Sequence, residues 1–238
     1  MALEGESLVK RYNRRPVVDR LSISAGAGRI TGLLGPNGAG KTTTFYLIIG
    51  FIAADGGSVS FDGRDISTLP FYRRARLGIG YLPQEPSVFT RATVVENLDM
   101  TLEWKGSEPD RRSRREGLLA ELGLARLRNR LAGTLSSGER RRLEIARALA
   151  TSPRYVLLDE PFSGIDPISI DDLKREIISL KDRGIGVIIT DHNVRDTLSI
   201  TDFSYLIDRG RLISSGTSEE ILVDPLARRV YLGEGFRP

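Results

Sequence analysis

The sequence predicts an α/β chain. A parallel sheet carries helices on both faces, an antiparallel β-rich segment precedes it, and a helical segment is inserted within it. Three features carry this prediction. Residues 155–158 and 186–189 are short, continuously apolar runs, and together with residues 29–34 they read as strands buried on both faces. The first sixty residues instead alternate apolar with polar side chains between Asp-Gly and Gly-Gly turn signals. From about 93 to 150 the chain is rich in Leu, Arg and Glu at helical spacing.

Taken in order, Leu21-Ser22-Ile23-Ser24 and Gly57-Ser58-Val59-Ser60-Phe61 are expected as antiparallel strands. Ile30-Thr31-Gly32-Leu33-Leu34 is the first strand of the buried sheet, and a helix is expected over 43–49. In the inserted segment, placed at roughly 85–150 of a single 238-residue domain, Leu118, Leu119, Leu122, Leu143, Ile145 and Leu149 mark core-facing helix positions. The basic run at 110–116 is expected to be the solvated start of a helix. The runs at 155–158 and 186–189 then return the chain to the parallel sheet.

Composition narrows the function classes. With no cysteine and a single histidine, His192, disulfides, thiolate metal sites and multi-histidine metal sites are excluded. A net charge of +4 permits contact with nucleic acid or anionic lipid without demanding it, and no nucleic-acid partner is expected. No run approaches the roughly 18 apolar residues of a membrane span, and the start lacks the order of a signal peptide. A cytoplasmic chain is therefore expected.

The strongest motif is Gly35-Pro36-Asn37-Gly38-Ala39-Gly40-Lys41-Thr42, between a strand and a helix. Polyphosphate binding needs many donors near several anionic oxygens, and glycines let the backbone approach while the helix offers free N–H groups. The nucleotide-binding set is therefore Gly35, Pro36, Asn37, Gly38, Ala39, Gly40, Lys41, Thr42 and Thr43. Lys41 would reach the β- and γ-phosphates, and the Thr42 hydroxyl would hold Mg²⁺. ATP and Mg²⁺ are the expected cofactors.

Asp159 and Glu160 follow the apolar run 155–158, at the carboxyl end of a buried strand, where open α/β sheets bind ligands. Two adjacent acids there repel unless a cation is present. Asp159 is read as the metal-side carboxylate and Glu160 as the group that orients or deprotonates the attacking water. His192 ends the next apolar run at the same sheet edge, within reach of a γ-phosphate.

Between these halves stands Leu135-Ser136-Ser137-Gly138-Glu139, followed by the helical run 140–149. It resembles the signature motif of ABC ATPases, normally Leu-Ser-Gly-Gly, with Ser137 in place of the first glycine. The resemblance covers almost the whole chain. It implies a P-loop ABC ATPase fold, with a RecA-like parallel-sheet core, an N-terminal antiparallel β subdomain and an inserted α-helical subdomain. Tyr12 looks like the aromatic that stacks on adenine, and Gln84 like the glutamine that links Mg²⁺ to a membrane partner. Ser163-Gly164-Ile165-Asp166-Pro167 looks like the loop that communicates across a dimer, with Asp166 its acid.

In this family each ATP is sandwiched between the phosphate loop of one subunit and the signature loop of the other. The resemblance thus implies a homodimer in which Ser136, Ser137, Gly138 and Glu139 contact the partner's ATP. It also implies two transmembrane subunits, which would hold the dimer on the cytoplasmic face of the inner membrane.

Four segments draw the resemblance closer to the ATP-binding subunits of lipopolysaccharide exporters: Thr42-Thr43-Thr44-Phe45-Tyr46, Gly78 to Glu85, Thr190 to Arg195, and Val230-Tyr231-Leu232-Gly233-Glu234. In that setting a groove near Gln84, Phe89 and Arg91 would receive the partners' coupling helices. The ATPases of branched-chain amino-acid importers look alike and stay open as an alternative. A soluble ABC ATPase acting on nucleic acid would carry two ATPase halves or a long coiled-coil insertion, and neither is present.

Overall fold

The structure, a computed structural model, describes residues 1–103 and 107–232. Strands β1 (Ala2–Tyr12) and β2 (Arg15–Gly26) form a hairpin whose two-residue turn, Asn13-Arg14, has positive φ at both positions, the geometry that matches strand twist. After β3 (Ile30–Leu34) and helix α1 (Lys41–Ile49), β4 (Gly56–Phe61) and β5 (Arg64–Asp65) turn at Asp62-Gly63. β1, β2, β4 and β5 make an antiparallel sheet in the order β2-β1-β4-β5.

Helix α2 (Phe71–Leu77) and β6 (Ile79–Leu82) lead into the insertion. It holds α3 (Val94–Leu102), α4 (Glu108–Glu121) and α5 (Ser137–Ala150). The expected solvated helix start at 110–116 lies in the first half of α4, while Leu118 and Leu119 at its other end are buried. The chain re-enters the sheet as β7 (Tyr155–Asp159), then α6 (Pro167–Asp182), β8 (Gly186–Thr190) and α7 (Val194–Leu198). It closes with β9 (Phe203–Asp208), β10 (Arg211–Gly216), α8 (Ser218–Val223), α9 (Pro225–Ala227) and one wide turn, Arg228–Leu232.

The six-stranded sheet runs β10-β9-β3-β8-β7-β6, parallel except for β10. β6 and β7 are parallel neighbours, so everything between them is an insertion into a single crossover. Burial follows the two-residue period of a strand. Val156, Leu158, Val187 and Ile189 face one core with the helices of the insertion. Tyr155, Leu157 and Ile188 face another, shared with α1 and the antiparallel sheet. Strands that serve two cores have no polar face, hence their continuous apolar runs. No helix among the described residues is long and apolar enough to cross a membrane.

Candidate active site

The phosphate loop joins β3 to α1 in a conformation that its glycines allow. Gly35 has φ 154°, and a Cβ there would lie 2.2 Å from the Ile207 carbonyl oxygen. Gly40 caps α1 at φ 105° with no room for a side chain against the Val17 carbonyl. Lys41 folds across the loop, its Nζ donating to the carbonyls of Gly35 at 2.8 Å and Pro36 at 3.1 Å. Burial lowers its pKa, opposed by the carboxylates of Glu160, Asp159 and Asp191. A cavity of about 240 Å³ opens here, lined by Val17, residues 37–43 and Glu160. The cavity thus joins most of the loop to Glu160, with Thr42 and Thr43 in the first turn of α1.

Sheet register builds the acidic side. Asp159 pairs with Thr190 across β7 and β8, and the Thr190 hydroxyl donates to Asp159 Oδ1 at 2.8 Å. Tyr81 on β6 donates its phenol to Asp159 Oδ2 at 3.3 Å, and Thr42 also bonds this carboxylate. Burial raises the Asp159 pKa, and these hydroxyls oppose the rise. A carboxylate and a hydroxyl at one edge are hard oxygen donors that suit Mg²⁺, which is commonly held by one or two carboxylates plus substrate phosphates. Among the described residues no group of three or more His, Cys, Asp or Glu is placed to hold a metal ion.

Glu160 has left-handed backbone, φ 46°, unusual for a residue with a side chain. Its N–H donates to the Thr190 carbonyl at 2.8 Å, which ties this strained turn to β8. Gln84 Nε2 donates to Glu160 Oε2 at 2.8 Å, so these two expected site residues meet directly. His192 Nδ1 lies 3.5 Å from the same oxygen and 3.4 Å from Asp191 Oδ1. The His192 side chain is 58% exposed while that of Asp191 is 0%, so the histidine stands in solvent on a buried acidic base. Asp191 accepts the backbone N–H groups of Phe162 and Asn193.

The signature segment is a helix start. Ser136 caps α5, its hydroxyl accepting the Glu139 N–H while the Glu139 carboxylate accepts the Ser136 N–H. Glu139 is thereby committed to its own loop. Ser137 is the first residue of α5 and lies outside the positive-φ region, so nothing in the backbone requires glycine there. Gly138 abuts α6, where an added Cβ would stand 2.9 Å from Ser169 Oγ. Asp166 caps α6 by accepting the Ser169 N–H at 3.0 Å, and the Ser169 hydroxyl together with this N–H holds its pKa low. No signature residue lines the phosphate-loop cavity.

Sequence reasoning missed the residue that ties these parts together. Arg141 of α5, buried and paired with Glu144 at 2.9 Å, donates to the carbonyls of Pro83 and Asp159. Glu144 in turn accepts the Ser87 N–H. The signature helix thus grips both the Gln84 loop and the acidic strand end. Tyr81 and Thr190 were also missed, since only strand register brings them to Asp159. Asp191 could have been found, because it follows a buried apolar run just as Asp159 does.

Two expected sites lie farther out. Tyr12, 49% exposed at the hairpin end with the Lys10 ammonium 5.7 Å from its ring centre, does not line the cavity, where Val17 of the facing strand stands instead. Phe89 and Arg91 are both exposed, and near Phe89 lies a groove of about 190 Å³, whose walls include Phe71, Tyr81, Ser87, Glu144 and Arg147. Neither lines it, but the Arg147 guanidinium stacks 4.7 Å from the Phe89 ring centre, which places Phe89 at the rim. In the closing sequence motif, Gly233 and Glu234 lie outside the described residues.

A glycine-rich loop that opens a helix, beside acids at the ends of neighbouring parallel strands, defines a P-loop nucleotide hydrolase, and the helical insertion between β6 and β7 narrows the class. The profile of the ABC transporter family matches residues 18–163. Similar curated proteins are the lipopolysaccharide export system ATP-binding proteins LptB of Haemophilus influenzae and Acidithiobacillus ferridurans. They are 50% and 52% identical, each over 99% of this chain and 98% of the relative. A solved ATP-binding cassette of an ABC transporter, in its ADP conformation, matches with a TM-score of 0.88 at 32% identity, covering 98% of this chain and 100% of that one. The chain belongs to the ABC transporter family, as an ATP-binding subunit. It binds nucleotide and hydrolyses ATP to drive a transporter.

Proposed function

We propose that this chain powers extraction of lipopolysaccharide from the inner membrane, working as a homodimer on the cytoplasmic face beneath two transmembrane subunits. The observation that carries the cargo is end-to-end similarity, at 50% and 52% identity, to proteins named for lipopolysaccharide export. In this reading the phosphates lie along residues 35–43 and Tyr12 stacks on adenine. Thr42 and Asp159 hold Mg²⁺, with Gln84 beside it. When bound, the ion would neutralise charge that develops on the phosphates.

Glu160 takes the proton of the attacking water. Its carboxylate is steadied by Gln84 at 2.8 Å, and His192 stands 3.5 Å away, placed to read the γ-phosphate. Ser136, Ser137 and Gly138 of the second copy close the site through the free N–H groups of α5. A two-fold interface makes this arrangement reciprocal, and Asp166 lies on the path between the two sites. The segment 85–150 moves as one subdomain that carries the signature helix and the groove wall. Arg141 and Glu144 support this coupling, because they bind the loop at 83–87 to α5.

The test is capture of tagged chain from membranes of its own cells, with identification of the transmembrane proteins that follow. Two subunits whose complex hydrolyses ATP while transferring lipopolysaccharide are expected, and amino-acid importer subunits would overturn the cargo. Arg91→Asp should reduce their recovery without changing the melting temperature, since Arg91 is exposed and two residues from Phe89. Full recovery with a normally folded variant would remove Arg91 from the contact.

A further inference from the structure

The closing motif Val230-Tyr231-Leu232 has no part in the site described above, yet its tyrosine reaches that site. The sheet ends on β10, two strands away from β3, and the chain after Gly216 runs back across the sheet's end. Its return is pinned at several points. Thr217 and Glu220 form a capping box, and the Ser218 hydroxyl donates to the Leu198 carbonyl at 2.7 Å. Asp224 caps the next turn through the N–H of Leu226. Ile221 and Ala227 are buried in a small cluster with Leu34, Leu198 and Leu206, against which Tyr231 and Leu232 pack. Leu34 is the last residue of β3, so this cluster sits directly behind the phosphate loop.

From there the Tyr231 phenol donates to the Asp191 carbonyl at 3.4 Å, and it faces the backbone N–H of Gly35. One hydroxyl therefore stands between the first glycine of the phosphate loop and the residue before His192. Burial pushes the Tyr231 pKa up to about 12, so the phenol keeps its proton to donate.

We propose that Tyr231 is a positioning residue for ATP hydrolysis. It fixes the spacing between the phosphate loop and the strand end that presents His192, and so makes the chain's closing segment part of the active-site frame. Gly35 and Asp191 directly follow two neighbouring strands, β3 and β8, whose pairing stops at Gly32 and Ile189. Beyond that point the two strands no longer pair, and the phenol, bonded to the Asp191 carbonyl, fills the gap between them. This inference rests on the reading of His192 given above.

The test uses the purified full chain. Tyr231→Phe keeps the ring and its packing but removes the hydroxyl. It should lower kcat by about three- to ten-fold, the scale of one neutral hydrogen bond. KM for ATP and melting temperature should stay near wild type. Because the effect passes through His192, the double variant Tyr231→Phe/His192→Ala should hydrolyse no more slowly than His192→Ala alone.

Wild-type kcat in Tyr231→Phe would overturn the proposal, as would losses that multiply in the double variant. Tyr231→Leu serves as the packing control. If Leu lowers kcat together with melting temperature while Phe behaves as wild type, the tyrosine is only a core residue and the proposal fails. If His192→Ala itself leaves kcat unchanged, the reading of His192 fails first, and a kcat loss in Tyr231→Phe would then place the tyrosine's action on Gly35.

Discussion

Glu160 is held where an ordinary residue would not rest. Left-handed backbone at a non-glycine position costs on the order of 1–3 kcal/mol, and such strain persists only where surrounding contacts over-determine it. Here those contacts are the Glu160 N–H on the Thr190 carbonyl and the side-chain bond from Gln84. The turn releases Glu160 from the strand's alternation and sends its carboxylate into the phosphate-loop cavity beside Lys41 and Thr42. Replacing Glu160 by Gln keeps size and hydrogen bonding but removes the base. Hydrolysis should fall about 10²–10⁴-fold while ATP stays bound, and the protein should accumulate as an ATP-bound dimer measurable by light scattering. Turnover at the wild-type rate would remove Glu160 from its role. The pair Asp159-Glu160 was legible from its place behind four apolar residues. The strain at Glu160 and the Tyr81 hydroxyl on Asp159 were not, because both arise from register between strands far apart in sequence.

Among the elements, α5 carries two layers of information. Its start, Ser136-Ser137-Gly138-Glu139, was readable as a motif, and its cap follows from residue types alone. Its partners were not readable, because only the fold shows that Arg141 is buried and that Arg147 stacks on Phe89. Strands β3, β7 and β8 announced themselves by having no polar face. β9 did not, since Ser204 lies buried on it and its edge neighbour β10 is largely solvent-facing.

The same hiding of charge occurs where α5 meets α6. Glu176 of α6 faces Arg142 of α5, Glu121 of α4, and Asp172 and Arg175 of its own helix, in a cleft of about 550 Å³. One of its oxygens is buried without a partner, and burial lifts its pKa from the ordinary 4.5 to about 7. The folded state therefore keeps a proton between these values that the unfolded chain has lost. Stability falls as pH rises through that window, and the full penalty of at most roughly 3 kcal/mol stands above it. Glu176→Gln should thus raise the melting temperature by several degrees at pH 8 and by little at pH 4.5. A gain that does not depend on pH would assign the effect to packing.

For the whole molecule, the decisive feature is that one chain holds two half-sites that do not meet. The cavity at residues 37–43 is open to solvent and lacks any signature residue, while the start of α5 presents exposed Ser136 and Ser137 elsewhere. In the proposed homodimer a second copy would bring the two together, and the geometry suggests how to separate binding from closure. Lys41→Ala removes a buried ammonium from the phosphate loop and should weaken ATP binding by the single chain. Gly138 is a poor place to block closure, because any side chain there would also push α5 away from Ser169 of α6. Ser137 is better: it is exposed, lies in the first helical turn and needs no special backbone. Glutamate is well tolerated at a helix start, where it complements the dipole, yet its charge would face the incoming γ-phosphate of the partner's ATP. Ser137→Glu should therefore keep its melting temperature and its ATP affinity as a monomer, but fail to form the ATP-dependent dimer and lose hydrolysis with it. Light scattering with ATP in the Glu160→Gln background reads closure directly, since that background stops hydrolysis from dissolving the dimer. If Ser137→Glu still dimerises there, or loses ATP affinity as Lys41→Ala does, the signature loop does not act on the partner's nucleotide.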